Sequence, residues 1–356
     1  MKIAIDIRMT GSGGIGSYIS ALLPYFIKEH ECLLFGTKEA LKPYESEKNC
    51  KTIECSIKCF SIKELCLFPR KLLNAINKCD LYYSPYCNVP AGIKIPVFTT
   101  IHDVVFLDIP GLAGKAGTFI RKLFYKRACR KSKVIFTVSD FSSKRIKFHL
   151  KPKAKVVCTY NALPDWFLSD SLTSANEKAY SEKKDQILFV GNIKKHKGLT
   201  TLLDAFIDAK KEGLSSNLLI IGNKDNFRTK DSSIFNKIEE APKGTVLFSG
   251  KMSQGELKKA YQTSKVLVQP SLYEGFGMPP LEALNLGTHV ILSDIEVFKE
   301  IYKDFPVTFF ECENSEDLKN KLLNLEEICS QKIDIPDVYS FSKTYSIIYK
   351  TMEEEI

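Results

Sequence analysis

Both halves of the chain repeat one pattern, in which short apolar runs alternate with segments whose apolar residues recur at helical spacing. Residues 2–8 form the first such run, and Tyr18, Leu22 and Phe26 then recur at the spacing of an amphipathic helix. Strands that alternate with helices predict a parallel sheet covered by helices on both faces. Further strands are expected at residues 32–35, 81–83, 97–101, 134–138 and 156–159, and further helices at 119–129 and 141–150.

The second half restarts the pattern after a stretch of small polar residues at 170–178, which predicts a domain boundary or a long loop just after one. The elements that follow predict a second α/β domain with a parallel sheet. Its strands are expected at 187–191, 218–221, 246–248, 266–268 and 290–292, and its helices at 199–211, 254–263 and 280–286. A chain of 356 residues, 44% of them hydrophobic, is long enough for two such domains.

Nothing in the sequence predicts passage across a membrane. No apolar run approaches the roughly 20 residues of a membrane-spanning helix, and the first six residues alternate into charge, unlike a signal peptide. We therefore expect a cytoplasmic protein. Its eleven cysteines show no paired spacing of the zinc-binding kind, so they are expected to be reduced thiols.

Positive charge is concentrated in one segment. Residues 115–155 hold fourteen lysines and arginines but a single acid, Asp140, whereas the whole chain has a net charge of +9. The helix expected at 119–129 mixes apolar and basic side chains, a combination typical of contact with an anionic membrane surface or a lipid diphosphate. An ordinary amphipathic helix with a solvated basic face is the alternative.

Two glutamates eight positions apart, Glu274 and Glu282, surround the start of the helix expected at 280–286. Gly275 and Gly277 allow the backbone to turn tightly and to bring N–H groups close to a ligand. A helix N-terminus with free N–H groups attracts phosphate. The carboxylate of Glu282, inside the helix, suits the two hydroxyls of a ribose, and that of Glu274 suits the hydroxyls of a sugar.

Basic side chains follow the strand expected at 187–191. Lys194, Lys195 and Lys197 precede a glycine and a helix, an arrangement that suits the binding of a diphosphate. Asn192 stands directly after the glycine that ends the strand. A solvated basic loop is the alternative, because runs of charge are usually solvated.

In the first half, His102 ends a buried type of strand, where a side chain faces the ligand-binding edge of a parallel sheet. A structural histidine held by hydrogen bonds is the alternative. The glycine-rich turn at 11–16 includes Gly14 and Gly16 and follows the first strand, but it lacks the spacing of a dinucleotide-binding loop. Asp6 and Arg8 are equally consistent with an ion pair in the core and with residues that line a site.

These motifs resemble glycosyltransferase family 4, most strongly in the spacing of Glu274 and Glu282, which matches the EX7E motif of that family. The resemblance implies the GT-B fold: two Rossmann-like, doubly wound parallel-sheet domains that face each other across a cleft. The acceptor-side domain is expected at 1–165, with a C-terminal helix at 340–356 that crosses back to it, and the domain that binds the nucleotide sugar at 166–339. Asn192 departs from the family, which has an arginine at this position.

The resemblance also implies a role for each site residue. Glu282 is expected to bind the ribose of the donor, and the backbone of residues 275–278, which follow Glu274, is expected to donate hydrogen bonds around the sugar. The residues expected to act in catalysis, by contacting the donor sugar or stabilising its diphosphate, are His102, Glu274 and Lys197. The remaining residues expected to bind the donor are Gly275, Phe276, Gly277, Met278, Gly14, Gly16, Asn192 and Lys195.

The implied reaction is mannosyltransferase-like. It transfers a sugar, with retention at the anomeric carbon, from GDP-mannose or a UDP-sugar to a hydroxyl of a glycan or of a lipid-diphosphate-linked acceptor in surface polysaccharide synthesis. No cofactor and no metal are expected, since no Asp-x-Asp motif is present. An anionic membrane surface is a further expected partner, with a peripheral location on the inner face of the cell membrane.

Other functions would explain fewer of these sequence motifs. A nucleic-acid-binding module would explain the basic segment, but no motif of that class is present, so nucleic acid is not an expected partner. A non-catalytic nucleotide-sugar-binding protein on the same fold stays open, because it would keep Glu282 and Lys197. A GT-B epimerase or phosphorylase is the weaker alternative, because neither usually carries this pair of glutamates.

Overall fold

The computed structural model describes residues 1–168, 183–222, 233–250 and 252–356. The polar stretch 170–178, for which a boundary or loop is predicted, lies outside these described residues. The chain divides into two compact units. One consists of Met1–Asp165 with Val338–Ile356, and the other of Trp166–Asp337.

The first unit is built on a parallel sheet of seven strands in the order β3-β2-β1-β4-β5-β6-β7. Its inner strands are buried along most of their length, as in a sheet covered on both faces; Ile3, Ala4 and Ile5 of the first strand are fully buried. The strands are Lys2–Asp6 (β1), Glu31–Gly36 (β2), Cys50–Glu54 (β3), Leu81–Ser84 (β4), Val97–Thr100 (β5), Val134–Thr137 (β6) and Lys155–Cys158 (β7).

The helices of this unit follow the strands, and the last one returns from the end of the chain. Ser139 caps the helix that follows it, because its hydroxyl accepts the Ser142 amide at 3.0 Å. The C-terminal helix packs on the first one, where the rings of Tyr345 and Phe26 meet edge to face at 5.1 Å. The helices are Gly13–Glu29 (α1), Lys38–Leu41 (α2), Ile62–Cys66 (α3), Arg70–Ile76 (α4), Val105–Asp108 (α5), Lys115–Lys131 (α6), Asp140–Leu150 (α7) and the C-terminal Phe341–Glu355.

The second unit has a parallel sheet of six strands in the order β10-β9-β8-β11-β12-β13. Counted from β8, this is the strand order of the Rossmann fold, and it reverses between β8 and β11. The strands are Lys184–Val190 (β8), Asn217–Ile221 (β9), Val246–Gly250 (β10), Ser264–Gln269 (β11), His289–Ser293 (β12) and Thr308–Phe310 (β13). The helices are Asp165–Leu168 (α8), Leu199–Lys211 (α9), Ser233–Glu240 (α10), Gln254–Thr263 (α11), Met278–Asn285 (α12), Glu296–Tyr302 (α13), Ser315–Leu323 (α14) and Leu325–Ser330 (α15).

Two parallel, Rossmann-like sheets are therefore present, which confirms the predicted fold class. The predicted glycine-rich turn is corrected, because α1 already begins at Gly13 and the turn is shorter than 11–16. The strand β3 has no counterpart in the predictions. It is half-exposed and lies at an edge of the sheet, so its sequence, Cys-Lys-Thr-Ile-Glu, lacks a continuous apolar run.

Candidate functional site

The predicted site residues of the second unit follow two neighbouring strands. Lys197 lies in the loop after β8, and Glu274 lies in the loop after β11. The two strands pair directly, at the point where the strand order reverses. Ligands of open α/β sheets bind beyond the carboxyl ends of the strands at such a reversal. The topology thus places both loops where a ligand is expected.

The two loops touch through their backbones. The Leu272 amide donates to the carbonyl oxygen of His196 at 2.8 Å. Gly198 has a left-handed φ of +67°, and a Cβ at this position would overlap the carbonyl oxygen of Pro270. Only glycine combines this backbone conformation with so close an approach. The distance between the loops is therefore set by main-chain contacts.

An ion pair joins the two loops. The Lys197 ammonium donates to both carboxylate oxygens of Glu274, at 2.7 Å each. The Ser271 hydroxyl donates to the same carboxylate at 2.8 Å, and the Gln269 amide approaches it at 3.5 Å. Only 10% of the Glu274 side chain and 19% of the Lys197 side chain is exposed. Two residues predicted to contact a ligand separately are thus also partners of each other.

Glu282 has a different partner. It lies in the second turn of α12, half-buried, and its Oε2 accepts the hydroxyl of Tyr261 at 2.7 Å. Tyr261 is fully buried in α11 and reaches Glu282 from the side of the protein interior. Burial raises the pKa of Glu282, and the tyrosine bond opposes this by favouring the ionised form. Tyr261 thus occupies one carboxylate oxygen of Glu282, Oε2. The predicted hydrogen bonds from a ribose diol would be accepted by the other oxygen, Oε1.

The turn between the two glutamates leads directly into α12. Gly277 is the residue before the helix and has a φ of +90°, and its carbonyl accepts the hydroxyl of Tyr302. No side chain caps this helix start. Pro279 and Pro280 carry no amide hydrogen, so the Met278 amide is the N–H group that the first residues of this helix offer to a ligand or solvent. Phe276 is buried, whereas Gly275 and Met278 are half-buried.

The residues of the first loop that are predicted to bind the donor, together with Lys194, divide into two groups. Asn192, Lys194 and Lys195 are exposed, and only Lys197 turns inward to the ion pair. His196 is buried beside it, and burial together with the Lys197 charge lowers its pKa to about 4, so the imidazole is neutral at physiological pH.

Sequence reasoning missed Ser271, Gln269 and Tyr261 as parts of this site. The position of Ser271, three residues before Glu274 in the same loop, is a usable local signal. Tyr261 offers none, since it belongs to a preceding helix.

In the first unit, His102 lies just beyond the end of β5. Its Nε2 contacts the carbonyl oxygen of Pro85 at 2.9 Å; a carbonyl only accepts, so Nε2 carries the proton. The ring meets that of Tyr18 edge-on at 4.8 Å. Burial lowers its pKa to about 4. A neutral ring held in this way presents Nδ1 as an acceptor.

The two predicted glycines of α1 have unequal surroundings. Gly14 is exposed in the first turn of the helix. Gly16 is buried, a Cβ there would lie 2.9 Å from the Met9 carbonyl oxygen, and its amide bonds to the Ser12 carbonyl at 3.4 Å. The Gly16 amide thus has a partner at the start of the helix. Binding of the donor by Gly14 and Gly16 stays a prediction.

Residues 171–331 match the family model described as glycosyl transferases group 1. The match covers less than half of the chain. The matched segment includes both loops and both glutamates described above. Within residues 183–222, 233–250 and 252–331, which the structure describes, it contains no group of three or more histidines, cysteines or acids arranged to hold a metal ion.

Individual proteins extend this similarity. O-antigen chain mannosyltransferase B of Escherichia coli is 26% identical over 245 residues, which cover 67% of this chain and 64% of that protein. O-antigen chain mannosyltransferase RfbU of Salmonella typhimurium is 30% identical over 210 residues, which cover 57% of this chain and 53% of that protein. The matched regions thus span between half and two thirds of these relatives.

A solved structure supports the fold along the whole chain. The Anabaena HepE protein, in complex with UDP-glucose, superposes with a TM-score of 0.71 at 13% identity and covers 99% of this chain and 100% of that one. The chain has the GT-B fold, as predicted.

The structure decides between the two predicted roles of Asp6 and Arg8. Both side chains are fully buried. The Arg8 guanidinium donates to Asp6 at 2.5–3.2 Å and also to Glu64, which sequence reasoning missed. Asn88 donates to the other oxygen of Glu64 at 2.8 Å. The cluster is a hydrogen-bonded ion network in the core, the structural one of the two predicted alternatives.

The basic segment forms an exposed surface on α6. Phe119, Ile120 and Leu123 are exposed along one side of this helix, although large apolar side chains are usually buried. Ile62 and Leu67, at the two ends of α3, are exposed as well. None of the helices in the described ranges is both long and apolar enough to span a membrane.

Proposed function

We propose that the protein is a retaining glycosyltransferase that moves a sugar from a nucleoside-diphosphate sugar to a hydroxyl of a glycan acceptor. The observation that carries this proposal is the pairing of Lys197 with Glu274 at the strand reversal, beside Glu282 on the following helix. A cation for a diphosphate and two carboxylates for hydroxyls thus lie in two adjoining loops and the helix that follows them, within the segment that matches the glycosyl transferases group 1 model.

Each side chain has a task in this proposal. Glu282 accepts hydrogen bonds from the ribose through the oxygen that Tyr261 leaves open. Lys197 and the Met278 amide at the start of α12 stabilise the diphosphate, and Glu274 accepts hydrogen bonds from hydroxyls of the sugar. For His102 we propose a contact with the donor sugar through Nδ1, as a neutral acceptor.

The reaction breaks the bond between the anomeric carbon and the diphosphate oxygen and forms a bond from that carbon to the acceptor oxygen. Retention follows from attack on the face that the diphosphate leaves, and the acceptor proton passes to the departing diphosphate. The protein contributes electrostatic stabilisation of the charge that develops on the leaving group, which is often the largest single contribution to catalysis. The transfer is proposed to need neither a metal ion nor a cofactor.

The relatives favour one donor and one class of acceptor. Two of them are named O-antigen chain mannosyltransferases, which supports GDP-mannose as the donor and a growing surface polysaccharide as the acceptor. A UDP-sugar is the second donor class to test, because the HepE structure contains UDP-glucose.

A donor screen tests the proposed activity. The protein is incubated with GDP-mannose and with UDP-sugars, with and without lipid-linked oligosaccharide, and released GDP or UDP is measured beside a Glu282→Ala variant. Release from one donor that is lost in the variant supports the proposal. Tight binding of a donor without release under any acceptor condition contradicts it and favours a nucleotide-sugar-binding protein.

A lipid-linked acceptor places the enzyme at a membrane, and the surface of α6 suits that location. Its exposed apolar side chains lie among Lys115, Lys122 and Lys126. The apolar side chains can insert into the membrane interface, and the lysines can contact anionic headgroups. We expect the protein to float with vesicles that contain anionic lipid and not with neutral ones. Phe119→Ser with Leu123→Ser should reduce this binding about fivefold.

The matched control is Leu247→Ser, which removes an exposed leucine from β10 in the second unit. Equal binding by the wild-type protein and the α6 variant contradicts the surface. Equal loss in the α6 variant and the control assigns the effect to general hydrophobicity.

A further inference from the structure

Lys197 and Glu274 satisfy much of each other's hydrogen-bonding capacity. A lysine ammonium has three donors, and two of them point at the two oxygens of one carboxylate, at 2.7 Å each. The pair is largely shielded from water, with 19% and 10% of the side chains exposed. Such a pair is costly to break from one side, because the remaining charge is left buried without a counter-charge.

The geometry of this pair is imposed by the fold. The backbone bond between Leu272 and His196 and the close approach at Gly198 hold the two loops together. The Ser271 hydroxyl fixes the carboxylate from a third direction, at 2.8 Å. The pair therefore differs from a surface ion pair, in which two flexible side chains meet at a large entropic cost.

The charged neighbours do not supply a replacement for Lys197. His196 is adjacent and buried, but its lowered pKa of about 4 leaves it neutral. Lys194 and Lys195 are exposed on the outside of the loop. A ligand that takes Lys197 from Glu274 must therefore compensate the carboxylate itself.

The intact nucleotide sugar and the nucleoside diphosphate product differ in their ability to donate hydrogen bonds to Glu274. The diphosphate of the product offers only acceptor oxygens. These compete with Glu274 for the Lys197 ammonium, but they donate no hydrogen bond to the Glu274 carboxylate. The sugar of the intact donor also offers hydroxyls, which donate to the carboxylate. Hydrogen bonds from the sugar thus offset the free-energy cost of separating Lys197 from Glu274 when the donor binds. No such bonds offset this cost when the product binds.

We propose that Glu274 is a specificity-determining residue that, by holding Lys197, makes the site favour the intact nucleotide sugar over the bare nucleoside diphosphate. The consequence is weak product inhibition and fast release of the nucleotide after transfer. This inference rests on the proposed function, because it assumes that Lys197 faces the diphosphate.

The test compares binding of GDP, GDP-mannose, UDP and UDP-glucose by titration calorimetry. In the wild type the nucleotide sugar should bind at least about fivefold more tightly than its bare nucleotide. Glu274→Gln keeps the shape of the side chain and releases Lys197, so it should bind the bare nucleotide about tenfold more tightly, about 1.4 kcal/mol, and the nucleotide sugar more weakly. A merely structural role for Glu274 would not tighten any ligand.

Two controls isolate the path through Lys197. Glu282→Gln removes the same charge from a carboxylate that bonds to Tyr261, and it should weaken both nucleotides. In a Lys197→Met background there is no ammonium for Glu274 to hold, so adding Glu274→Gln should change bare-nucleotide affinity less than about twofold. Simple repulsion between Glu274 and the diphosphate would leave the tenfold gain intact.

The outcomes separate this inference from the proposed function. Wild-type protein that binds no nucleotide of either kind refutes both. Nucleotide-sugar binding together with looser or unchanged bare-nucleotide binding in Glu274→Gln refutes the inference alone. If circular dichroism shows that Glu274→Gln is unfolded, the binding measured with the wild-type protein tests the inference. Equal affinity of the wild type for the nucleotide sugar and the bare nucleotide refutes the inference.

Discussion

Replacing Gly198 by alanine should separate the two loops that form the site. A Cβ at this position would overlap the carbonyl oxygen of Pro270, lie 2.7 Å from its carbonyl carbon and lie 3.0 Å from Cδ1 of Leu272. Carbon atoms pack at about 3.5–4.0 Å, so the loops must move apart by about 1 Å. The left-handed φ of +67° adds strain for any residue with a Cβ.

The expected cost follows from these contacts. The left-handed conformation costs about 1–2 kcal/mol, and loss of the 2.8 Å bond between Leu272 and His196 costs about 1 kcal/mol more. The bonds between Lys197 and Glu274 also lengthen beyond hydrogen-bonding distance. We expect a loss of about 3 kcal/mol in the free energy of unfolding, and a loss of about 100-fold in donor turnover, because misplacement by 1 Å has effects of this size.

The assay measures chemical unfolding and kcat/KM side by side, with Gly244→Ala as the matched control. Gly244 also has a left-handed φ, +80°, but a Cβ there would have nothing within 4 Å. The control should therefore lose only the strain contribution, about 1 kcal/mol, and keep its activity. Equal behaviour of the two variants, with activity retained in both, would refute the argument that crowding at Gly198 sets the spacing of the loops.

Three further predictions concern other contacts. Tyr261→Phe removes the hydrogen bond that favours ionised Glu282 and so raises the pKa of that carboxylate further. As the pH is lowered, the variant should therefore lose donor affinity at a higher pH than the wild type. Superimposable profiles of donor affinity against pH would contradict this. Arg8→Met leaves Asp6 and Glu64 buried without a cation and should lower the free energy of unfolding by about 3–5 kcal/mol. That loss should be smaller at pH 5 than at pH 8, because burial already raises the pKa of Glu64 and protonation relieves the uncompensated charge; urea unfolding at both pH values checks the sign. Dialysis against EDTA should leave transfer unchanged, and recovery only on addition of Mg²⁺ or Mn²⁺ would overturn the metal-free proposal.

Local pattern predicted the elements that carry the site. The helices Leu199–Lys211 and Gln254–Thr263 begin and end where their periodicity indicated, since each has an amphipathic face and a glycine or serine at its start. The strands β8 and β11 were recognisable as continuous apolar runs, the signature of a sheet buried on both faces. The glycine-rich turn was predicted too long, because glycine allows a turn but does not prevent a helix from starting within it.

Partnerships across the chain depended on the tertiary structure. Lys197 and Glu274 are 77 positions apart, and they meet only because β8 and β11 are neighbours in the sheet, which periodicity along the chain does not specify. The same holds for Tyr261 with Glu282, and for Arg8, whose second carboxylate comes from a short helix 56 positions away. The sequence by itself therefore determined the residue types, the elements and the EX7E spacing, all of which are local properties of the chain. Strand order and the packing of helices on the sheet decided which of these charges neutralise one another.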